Sequence, residues 1–430
     1  MNNDMSAQQL HDKATRGGIL TEAEQAVLEA WYERQDAEEM AQLAISFSAL
    51  PKLQYLRAAV SVAQKQLILR ILCLLALASS AAFADAPHYS VIDLGISGKS
   101  SQAEAINNRG QVVGWQDKGS FLWESGKQKL ISTQLYQGAH AINEEGAVVG
   151  IPSEIHVVFS GSLLSGASAF VWDRGYLGFL SGFSNAYSIN DQGRIAGQSG
   201  EQAAFWDRRR VSGPLNDAPD FIWQSLPPHK LKPLPGYPYS TFYGLNDDNE
   251  AVGVLLRDLT NVPEHGQAFR YQAGEAFLLP TLGSGDSVAF AVSKTGTIAG
   301  ASRQVGGQWQ ALLWQPDGGF RLLAALPGSA ETAAHSINAG GEAVGWAFPK
   351  ADAQGASLGL SLGPIFGSRA CLWRNGSVLD PNTVVDLNAV IPADSGWVLQ
   401  QARAINDKGW IVGGGTHHGE YHAFLLIPAP

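Results

Sequence analysis

Four residues near the C-terminus have the types and the spacing of a metal site. Residues 416–422 read THHGEYH and contain His417, His418, Glu420 and His422. Imidazole nitrogens and carboxylate oxygens are donors that zinc and other transition metals accept. On an extended strand alternate side chains share a face, so His418, Glu420 and His422 would converge. These three are the candidate metal ligands, with a solvated polar loop as the alternative, and no other cofactor is predicted.

Two further patterns resemble chemical sites but are better explained by composition and by turns. Residues 359–363 read GLSLG and satisfy the G-x-S-x-G pattern of a nucleophile elbow. They lie in a Gly-, Ser- and Leu-rich stretch between two β segments, so chance composition explains them. The repeated Asn-Asp turns resemble fragments of calcium loops, but calcium loops carry several oxygen ligands at alternate positions. The sequence therefore predicts no catalytic residue.

The composition is typical of short strands joined by many turns. Only 16% of the 430 residues are charged, and there are 48 Gly, 12 Trp and 17 Phe. The formal charge of −10 argues against a nucleic-acid partner, because phosphate contacts need a Lys/Arg surface. Of the two cysteines, Cys73 lies in an apolar segment that we expect to be removed or membrane-embedded. No disulfide with Cys371 is therefore predicted.

The N-terminal part carries an export signal at an unusual position. Residues 67–84 read LILRILCLLALASSAAFA, with a basic flank, an apolar core and an A-x-A site before Asp85. We expect residues 61–84 to form a cleaved signal peptide or a signal anchor, and the following chain to be secreted, periplasmic or on the cell surface. Residues 1–60 predict a short α-helical segment. Either translation starts later, near Met40 or at an unmarked start codon upstream of Lys52, or this segment stays in the cytosol.

The remaining chain is built from seven copies of one motif. The copies are AINNRGQVVG (105–114), AINEEGAVVG (141–150), SINDQGRIAG (188–197), GLNDDNEAVG (244–253), AVSKTGTIAG (291–300), SINAGGEAVG (336–345) and AINDKGWIVG (404–413). Each copy is followed by an aromatic segment such as SFLW or AFVW and then by a Leu-rich segment. Each unit thus predicts four short antiparallel strands, and the period is that of propeller blades.

The two ends of this region indicate how the ring closes. Residues 89–95, YSVIDLG, match the fourth, outer strand, whereas the last repeat ends after its third strand. Pairing the two removes both sheet edges. The sequence therefore predicts an all-β, seven-bladed β-propeller over residues 85–430. Its blades have four strands, and the N-terminal strand closes the last blade.

The sequence motifs of the repeat resemble those of a known family. The linked patterns A-x-x-I-N-x-x-G-x-V-G and A-F-x-W are similar to the HAF repeat of bacterial extracellular proteins, over roughly residues 89–427. The resemblance implies export and a repeat fold, but it implies no agreed activity.

The repeated residues are predicted to be structural. In the hairpin turn, Asn should accept hydrogen bonds from the turn backbone, and Gly should adopt a positive φ. These turn residues are Asn107, Gly110, Asn143, Gly146, Asn190, Gly193, Asn338, Asn406 and Gly409. The aromatic segments should pack between blades through Trp123, Trp172, Trp206, Trp314 and Trp373. Cys371, in one of these segments, should be buried.

Chemistry is expected at positions that do not repeat. Long connections at residues 151–168, 254–267 and 346–369 should share one loop-rich face. The residues before the small inner-strand positions are Glu104, His140, Tyr187, Tyr243, His335 and Arg403. Strand alternation should turn these side chains between the blades, whereas their convergence on one cavity would favour an enzyme.

The predicted function is therefore that of an exported, non-catalytic binding module acting through its loop-rich face. Its partner is expected to be a protein, a glycan or a cell-surface polymer, and the chain is expected to be a monomer. Membrane contact is expected only through the N-terminal apolar segment, if that is not cleaved. One alternative is a glycan-active enzyme with its site at the central channel. The other is a self-associating surface-layer protein.

Overall fold

The repeats fold into a closed ring of sheets in the structure, which is a computed structural model. It describes residues 88–95, 100–117, 119–132, 137–152, 169–180, 182–207, 209–210, 221–222, 227–259, 266–349, 367–374 and 384–429. The chain divides into two compact units, Met1–Asp85 and Ala86–Pro430. The predicted helical segment, the signal-like segment and residues 359–363 lie outside the described residues.

The described residues form seven four-stranded antiparallel sheets, each one a blade. The chain enters through β1 (Tyr89–Asp93) and then builds the first three blades. Blade 1 contains β2 (Ser101–Ile106), β3 (Val112–Gln116), β4 (Gly119–Glu124) and β5 (Lys127–Ser132). Blade 2 contains β6 (Gln137–Ile142), β7 (Val148–Pro152), β8 (Phe170–Asp173) and β9 (Tyr176–Phe179). Blade 3 contains β10 (Asn185–Ile189), β11 (Ile195–Ser199), β12 (Gln202–Trp206) and β15 (His229–Lys230), with the two-stranded pair β13 (Arg209–Arg210) and β14 (Phe221–Ile222) inserted between its last two strands.

The second half of the ring repeats this arrangement. Blade 4 contains β16 (Tyr239–Leu245), β17 (Ala251–Leu256), β18 (Gly266–Gln272) and β19 (Glu275–Leu278). Blade 5 contains β20 (Gly283–Val292), β21 (Ile298–Gln304), β22 (Trp309–Trp314) and β23 (Phe320–Leu322). Blade 6 contains β24 (Ser329–Ile337), β25 (Ala343–Pro349), β26 (Arg369–Trp373) and β27 (Val384–Asp386), followed by a 3-10 turn at Leu387–Ala389. Blade 7 contains β28 (Trp397–Ile405), β29 (Ile411–His417) and β30 (Glu420–Pro428).

The N-terminal strand supplies the missing outer strand of blade 7. The strand order in this blade is β1-β30-β29-β28, and the β1–β30 register runs from Tyr89↔Pro428 to Asp93↔Phe424. Tyr89 is buried. The predicted seven-bladed ring and its closure by the N-terminal strand are confirmed.

The hydrophobic core consists of layers between neighbouring blades. One layer joins Val149 and Val171 of blade 2 to Trp206 of blade 3. The aromatic segments supply much of this core, because Trp123, Trp172, Trp206, Trp314 and Trp373 are all buried. Cys371 is also fully buried. Two indoles also hydrogen-bond to the segments that connect successive blades. Trp314 Nε1 donates to the Pro280 carbonyl at 2.8 Å, and Trp373 Nε1 donates to the Ala324 carbonyl at 2.7 Å.

Every inner strand contains a β-bulge, and the repeat sequence encodes it. In β2 the register shifts between Ala103 and Ala105, so Glu104 is the extra residue. The facing residue on β3 is Gly114, where a Cβ atom would collide with the carbonyl oxygen of Gln102. The same collision explains the glycine at the end of each motif copy: Gly114, Gly150, Gly197, Gly253, Gly300, Gly345 and Gly413. Only glycine permits this close backbone approach.

The strand directions define two faces of the ring. The turns between first and second strands and between third and fourth strands lie on one face, which we call the turn face. The connections between second and third strands, and those leading to the next blade, lie on the opposite, loop-rich face. No helix within the described ranges is long and apolar enough to cross a membrane.

Candidate functional site

The bulges bring seven side chains together around the propeller axis. These residues, one from each inner strand, are Glu104, His140, Tyr187, Tyr243, Phe290, His335 and Arg403. We call them the bulge ring. Alternation predicted that six of them would turn between the blades, and this is wrong. A bulge inserts one extra residue and re-aims its side chain, so strict alternation fails at that position.

Five members of the bulge ring form a continuous aromatic arc. His140 meets Tyr187 edge-on at a centroid distance of 5.9 Å, and Tyr187 meets Tyr243 edge-on at 5.1 Å. Tyr243 lies 6.0 Å from Phe290, which stacks on His335 at 4.4 Å. These separations are those of favourable aromatic pairs. The arc therefore crosses five successive blades as one packed surface.

An ion pair occupies the remaining part of the ring. Arg403 Nε lies 2.9 Å from Glu104 Oε2, and Trp115 Nε1 donates to Glu104 Oε1 at 3.1 Å. Both charged side chains are buried. Burial raises the pKa of Glu104, while the charge and hydrogen bond of Arg403 and the bond from Trp115 oppose that rise. Both carboxylate oxygens are thus engaged by the protein itself.

The two histidines of the arc are held neutral. Burial, together with the smaller effect of the charge of Arg403, lowers the pKa of His140 to about 3. Burial, with the same charge, also lowers the pKa of His335 well below its ordinary value. Trp346 Nε1 donates to His335 Nε2 at 3.1 Å, which leaves the proton of His335 on Nδ1. Imidazoles with such low pKa values are poor general bases near neutral pH.

The bulge ring is only partly buried. His140, Tyr187, Tyr243 and His335 are half-buried, whereas the other three members are buried. Each inner strand runs from the loop-rich face toward the turn face, and the bulge precedes an aliphatic residue and then the turn. The ring therefore lies on the loop-rich side of that aliphatic layer. Its members do not line the cavity at the turn face.

A cavity of about 230 Å³ opens on the axis at the turn face. It is lined by three successive residues of each blade. The aliphatic layer is Ile106, Ile142, Ile189, Leu245, Val292, Ile337 and Ile405. The middle layer is Asn107, Asn143, Asn190, Asn246, Ser293, Asn338 and Asn406, and the outer layer is Asn108, Glu144, Asp191, Asp247, Lys294, Ala339 and Asp407.

The middle layer links the blades by hydrogen bonds. Each Asn side chain uses Nδ2 to donate to the backbone carbonyl of the equivalent residue in the next blade. These bonds join Asn107 to Asn143 (3.0 Å), Asn143 to Asn190 (3.1 Å), Asn190 to Asn246 (3.2 Å), Asn246 to Ser293 (3.1 Å), Asn338 to Asn406 (3.2 Å) and Asn406 to Asn107 (3.0 Å). Ser293 has no amide with which to continue the series to Asn338.

The same Asn side chains also fix their own turns. Asn406 Oδ1, for example, accepts the N–H groups of Lys408 and Trp410 at 3.0 and 2.9 Å. The turn glycines have positive φ, as at Gly110, Gly146, Gly193 and Gly409. In blade 4 Asn249 takes this place with φ +61°, a conformation that Asn tolerates better than most residues. The middle-layer asparagine therefore has two roles: it fixes its own turn and it links its blade to the next one. The second role could not be inferred from the sequence of a single hairpin.

The outer layer forms a second series of links. In five of the seven steps around the ring, the backbone N–H of one residue donates to the side chain of its counterpart in the next blade. The pairs are Asn108–Glu144, Glu144–Asp191, Asp191–Asp247, Ala339–Asp407 and Asp407–Asn108, at 2.8 to 2.9 Å. Asp and Asn in these turns are thus hydrogen-bond acceptors of the scaffold. Lys294 and Ala339 offer no such acceptor oxygen.

The structure distributes the three predicted metal ligands differently from the sequence argument. The strand β29 ends at His417, and His418 lies in the hairpin turn with φ +49°. The turn breaks the alternation that would place His418 beside Glu420 and His422. Of the three, only His422 joins a compact donor group, whose other members are Asp93 and His417.

Comparison with known proteins finds distant structural similarities. No protein-family model and no curated protein matches the sequence. Virginiamycin B lyase from Staphylococcus aureus is similar in structure, with 13% identity, a TM-score of 0.44 and coverage of 79% of this chain and 99% of that one. TolB from Acinetobacter baumannii (11% identity, TM-score 0.37, coverage 78% and 66%) and a gluconolactonase from Xanthomonas campestris (12%, 0.36, 69% and 86%) are also similar. At these identities the likeness concerns the fold alone and gives no family assignment.

The bulge ring had one signal in the sequence. The glycine that closes every motif copy is an invariant small residue inside a strand, which often marks a bulge. If the motif-final glycine is paired with the inner strand residue by residue from the turn, one inner-strand residue is left over, and that residue is the bulge position. Asp93 carried no signal, because it lies 324 residues from His417 in a different part of the repeat pattern.

Proposed function

We propose that this chain is an exported binding protein whose ligand lies on the bulge ring, at the loop-rich end of the axis. The signal-like residues 67–84 and the resemblance to HAF repeats support export. The aromatic arc of the bulge ring is the observation that carries binding. Ligand sites are commonly concave surfaces rich in aromatic side chains with a few polar groups, and rigid strands position this one.

Among the predicted partners, a glycan fits the arc best. Aromatic rings offer apolar faces to sugar C–H groups, and the Tyr and His members add polar atoms at their edges. The charges of Glu104 and Arg403 neutralise each other at 2.9 Å, so the site favours a neutral or weakly charged ligand.

Binding is favoured over catalysis by the state of the ionisable groups. A glycosidase needs a pair of carboxylates free to act as acid and as base or nucleophile. Here Glu104 uses both oxygens for Arg403 and Trp115, and the pKa of His140 is lowered to about 3. A glycan-active enzyme remains the alternative, and release of sugar from the bound glycan would support it. The third candidate is a surface-layer protein, which would self-associate. We expect a monomer by analytical ultracentrifugation, and this result would count against the third candidate.

The test is a glycan-array screen with the full chain, followed by calorimetric titration of the best oligosaccharide. The double substitution Tyr187→Ala and Tyr243→Ala should weaken binding at least about tenfold, because it removes two rings from the arc. Tyr176→Ala is the matched control, since Tyr176 is 57% exposed on the outer strand of blade 2. Unchanged affinity in the double variant, or an equal loss in the control, would refute the proposed site.

A further inference from the structure

Three metal donors meet where the N-terminal strand closes the ring. Asp93 Oδ2 lies 2.9 Å from His417 Nδ1 and 2.9 Å from His422 Nδ1. The three donor atoms all lie within 4.8 Å of one another. Asp93 belongs to β1, His417 ends β29 and His422 lies in β30, so each donor comes from a different strand of blade 7.

We propose that Asp93, His417 and His422 bind a zinc-like transition-metal ion that clamps β1 onto the rest of blade 7. Two imidazoles and a carboxylate form a donor set that zinc uses in proteins. Tetrahedral bonds of about 2.0–2.2 Å place neighbouring donors about 3.3 Å apart, so each distance of 2.9 Å from Asp93 to a histidine needs only a small expansion. Each imidazole would coordinate through an unprotonated Nδ1, with its proton on Nε2, and any displaced proton passes to solvent. A water molecule would complete the coordination.

The carboxylate is already held in one orientation. Asp93 Oδ1 accepts the backbone N–H of Gly95 at 2.8 Å, which leaves Oδ2 closest to both histidines. A Cβ atom on Gly95 would lie 2.7 Å from the ring of His422, so glycine is needed for this approach. The ligand arrangement is therefore built by the backbone rather than by chance contact of mobile side chains.

Neighbouring side chains support the two imidazoles as well. The ring of His417 stacks on Trp397 at 4.6 Å with an interplanar angle of 6°. His422 Nε2 lies 3.4 Å from Glu420 Oε2, where a carboxylate can orient a metal-bound imidazole. Glu420, predicted as a ligand from the sequence, thus takes a supporting place. The cluster is partly open, with side-chain exposures of 21% for His417 and 11% for His422, so an ion can enter from solvent.

An ion bound at this junction between β1 and the rest of blade 7 would stabilise the closure of the ring. The ring closes through the short strand β1, which pairs with β30 over Tyr89–Asp93. A metal bond between residues 93 and 417 ties together points 324 residues apart, and cross-links over long loops restrict the unfolded chain most. An ion that binds only the closed ring must stabilise it by mass action. This inference does not depend on the glycan proposal, since the clamp acts on closure and not on the axis.

Zinc chloride titration of the full chain tests the clamp. The protein is prepared without a polyhistidine tag and dialysed against EDTA, and calorimetry should show one ion bound per chain. Thermal unfolding at a hundredfold excess of zinc over Kd should move the midpoint up by roughly 3–5 °C. Absence of stoichiometric binding, or binding with no change in the midpoint, would overturn the proposal.

Substitutions locate the ion. Asp93→Asn and His417→Gln should each weaken zinc binding at least about tenfold and remove the thermal shift. His418→Asn is the matched control, because His418 is adjacent but outside the donor group, and Asn tolerates its φ of +49°. Equal zinc affinity in His417→Gln, or loss of binding in His418→Asn, would contradict this ligand set. Circular dichroism without zinc checks that each variant is folded, and His422→Gln replaces any variant that is not.

Discussion

Asn190 allows the two roles of the repeated asparagine to be separated. Its Nδ2 donates to the carbonyl of Asn246 and to Asn249 Oδ1 in the next blade, both at 3.2 Å. Its Oδ1 accepts the N–H of Arg194 in its own turn at 2.9 Å. Serine retains the bond within the turn and loses both inter-blade bonds. Blade 5 shows this state naturally, because Ser293 Oγ accepts the N–H of Thr297 at 3.1 Å.

The expected costs follow from these contacts. Asn190→Ser leaves the Asn246 carbonyl without its inter-blade donor and should lower the free energy of unfolding by about 1–2 kcal/mol. Asn190→Ala also leaves the Arg194 N–H without its acceptor and should lower it by about 2–4 kcal/mol. Values near the lower ends are expected where water from the turn-face cavity replaces a lost partner. Both substitutions keep the turn glycine, Gly193, and its positive φ.

Urea unfolding followed by tryptophan fluorescence measures both effects through the midpoint at constant slope. If Asn190→Ser is as stable as the wild type, the inter-blade bond contributes nothing and the turn alone explains the asparagine. If the Ser and Ala variants are equally unstable, the turn bond contributes nothing. The reciprocal change Ser293→Asn should restore the link to Asn338, and we expect up to about 1 kcal/mol of added stability.

Three other predictions concern the scaffold and its processing. Gly253→Ala should lower the free energy of unfolding by about 2–4 kcal/mol, because the new Cβ collides with the carbonyl oxygen of Thr241, and a wild-type urea midpoint would exclude that packing. The pKa values of His140 and His335 are lowered in the folded state, to about 3 for His140. Their contribution to the free energy of unfolding should therefore be fully present above pH 6.5 and be lost as the pH falls below it, by at most about 1.4 kcal/mol per pH unit and histidine. Thermal midpoints against pH should therefore flatten in a His140→Gln and His335→Gln double variant, and an unchanged acid slope would contradict the assignment. Mass spectrometry of the exported protein should find Asp85 at the N-terminus, and retention of residues 61–84 would instead indicate a signal anchor.

The architecture could be derived from the sequence because repetition averages out local ambiguity. Any one copy, such as residues 404–413, predicts only a hairpin. Seven copies with small residues at one fixed position indicate strands that crowd around an axis, and the unmatched segment at residues 89–95 indicates how the ring closes. These conclusions rest on patterns of residue type, which a sequence displays directly.

The side-chain sites could not be derived in the same way, because they depend on register. One extra residue per inner strand reverses the face to which Glu104 and its equivalents point. One hairpin turn at His418 separates residues that alternation had placed together. The partner of His417 comes from β1, through the closure of the whole ring. The first two differences arise because each strand was treated as regular through its bulge or its turn, and the third because the contact depends on closure of the ring.

Within the inner strand, fixed and variable positions have different tasks. The motif-final glycine admits the bulge, and the turn asparagine links one blade to the next. Both are constant, or nearly so, because every blade has the same neighbours. The bulge position changes chemistry from blade to blade, with a carboxylate, a guanidinium, two imidazoles and three phenyl or phenol rings. On the proposed function, this variation separates the position that contacts the ligand from the constant positions that hold the ring together.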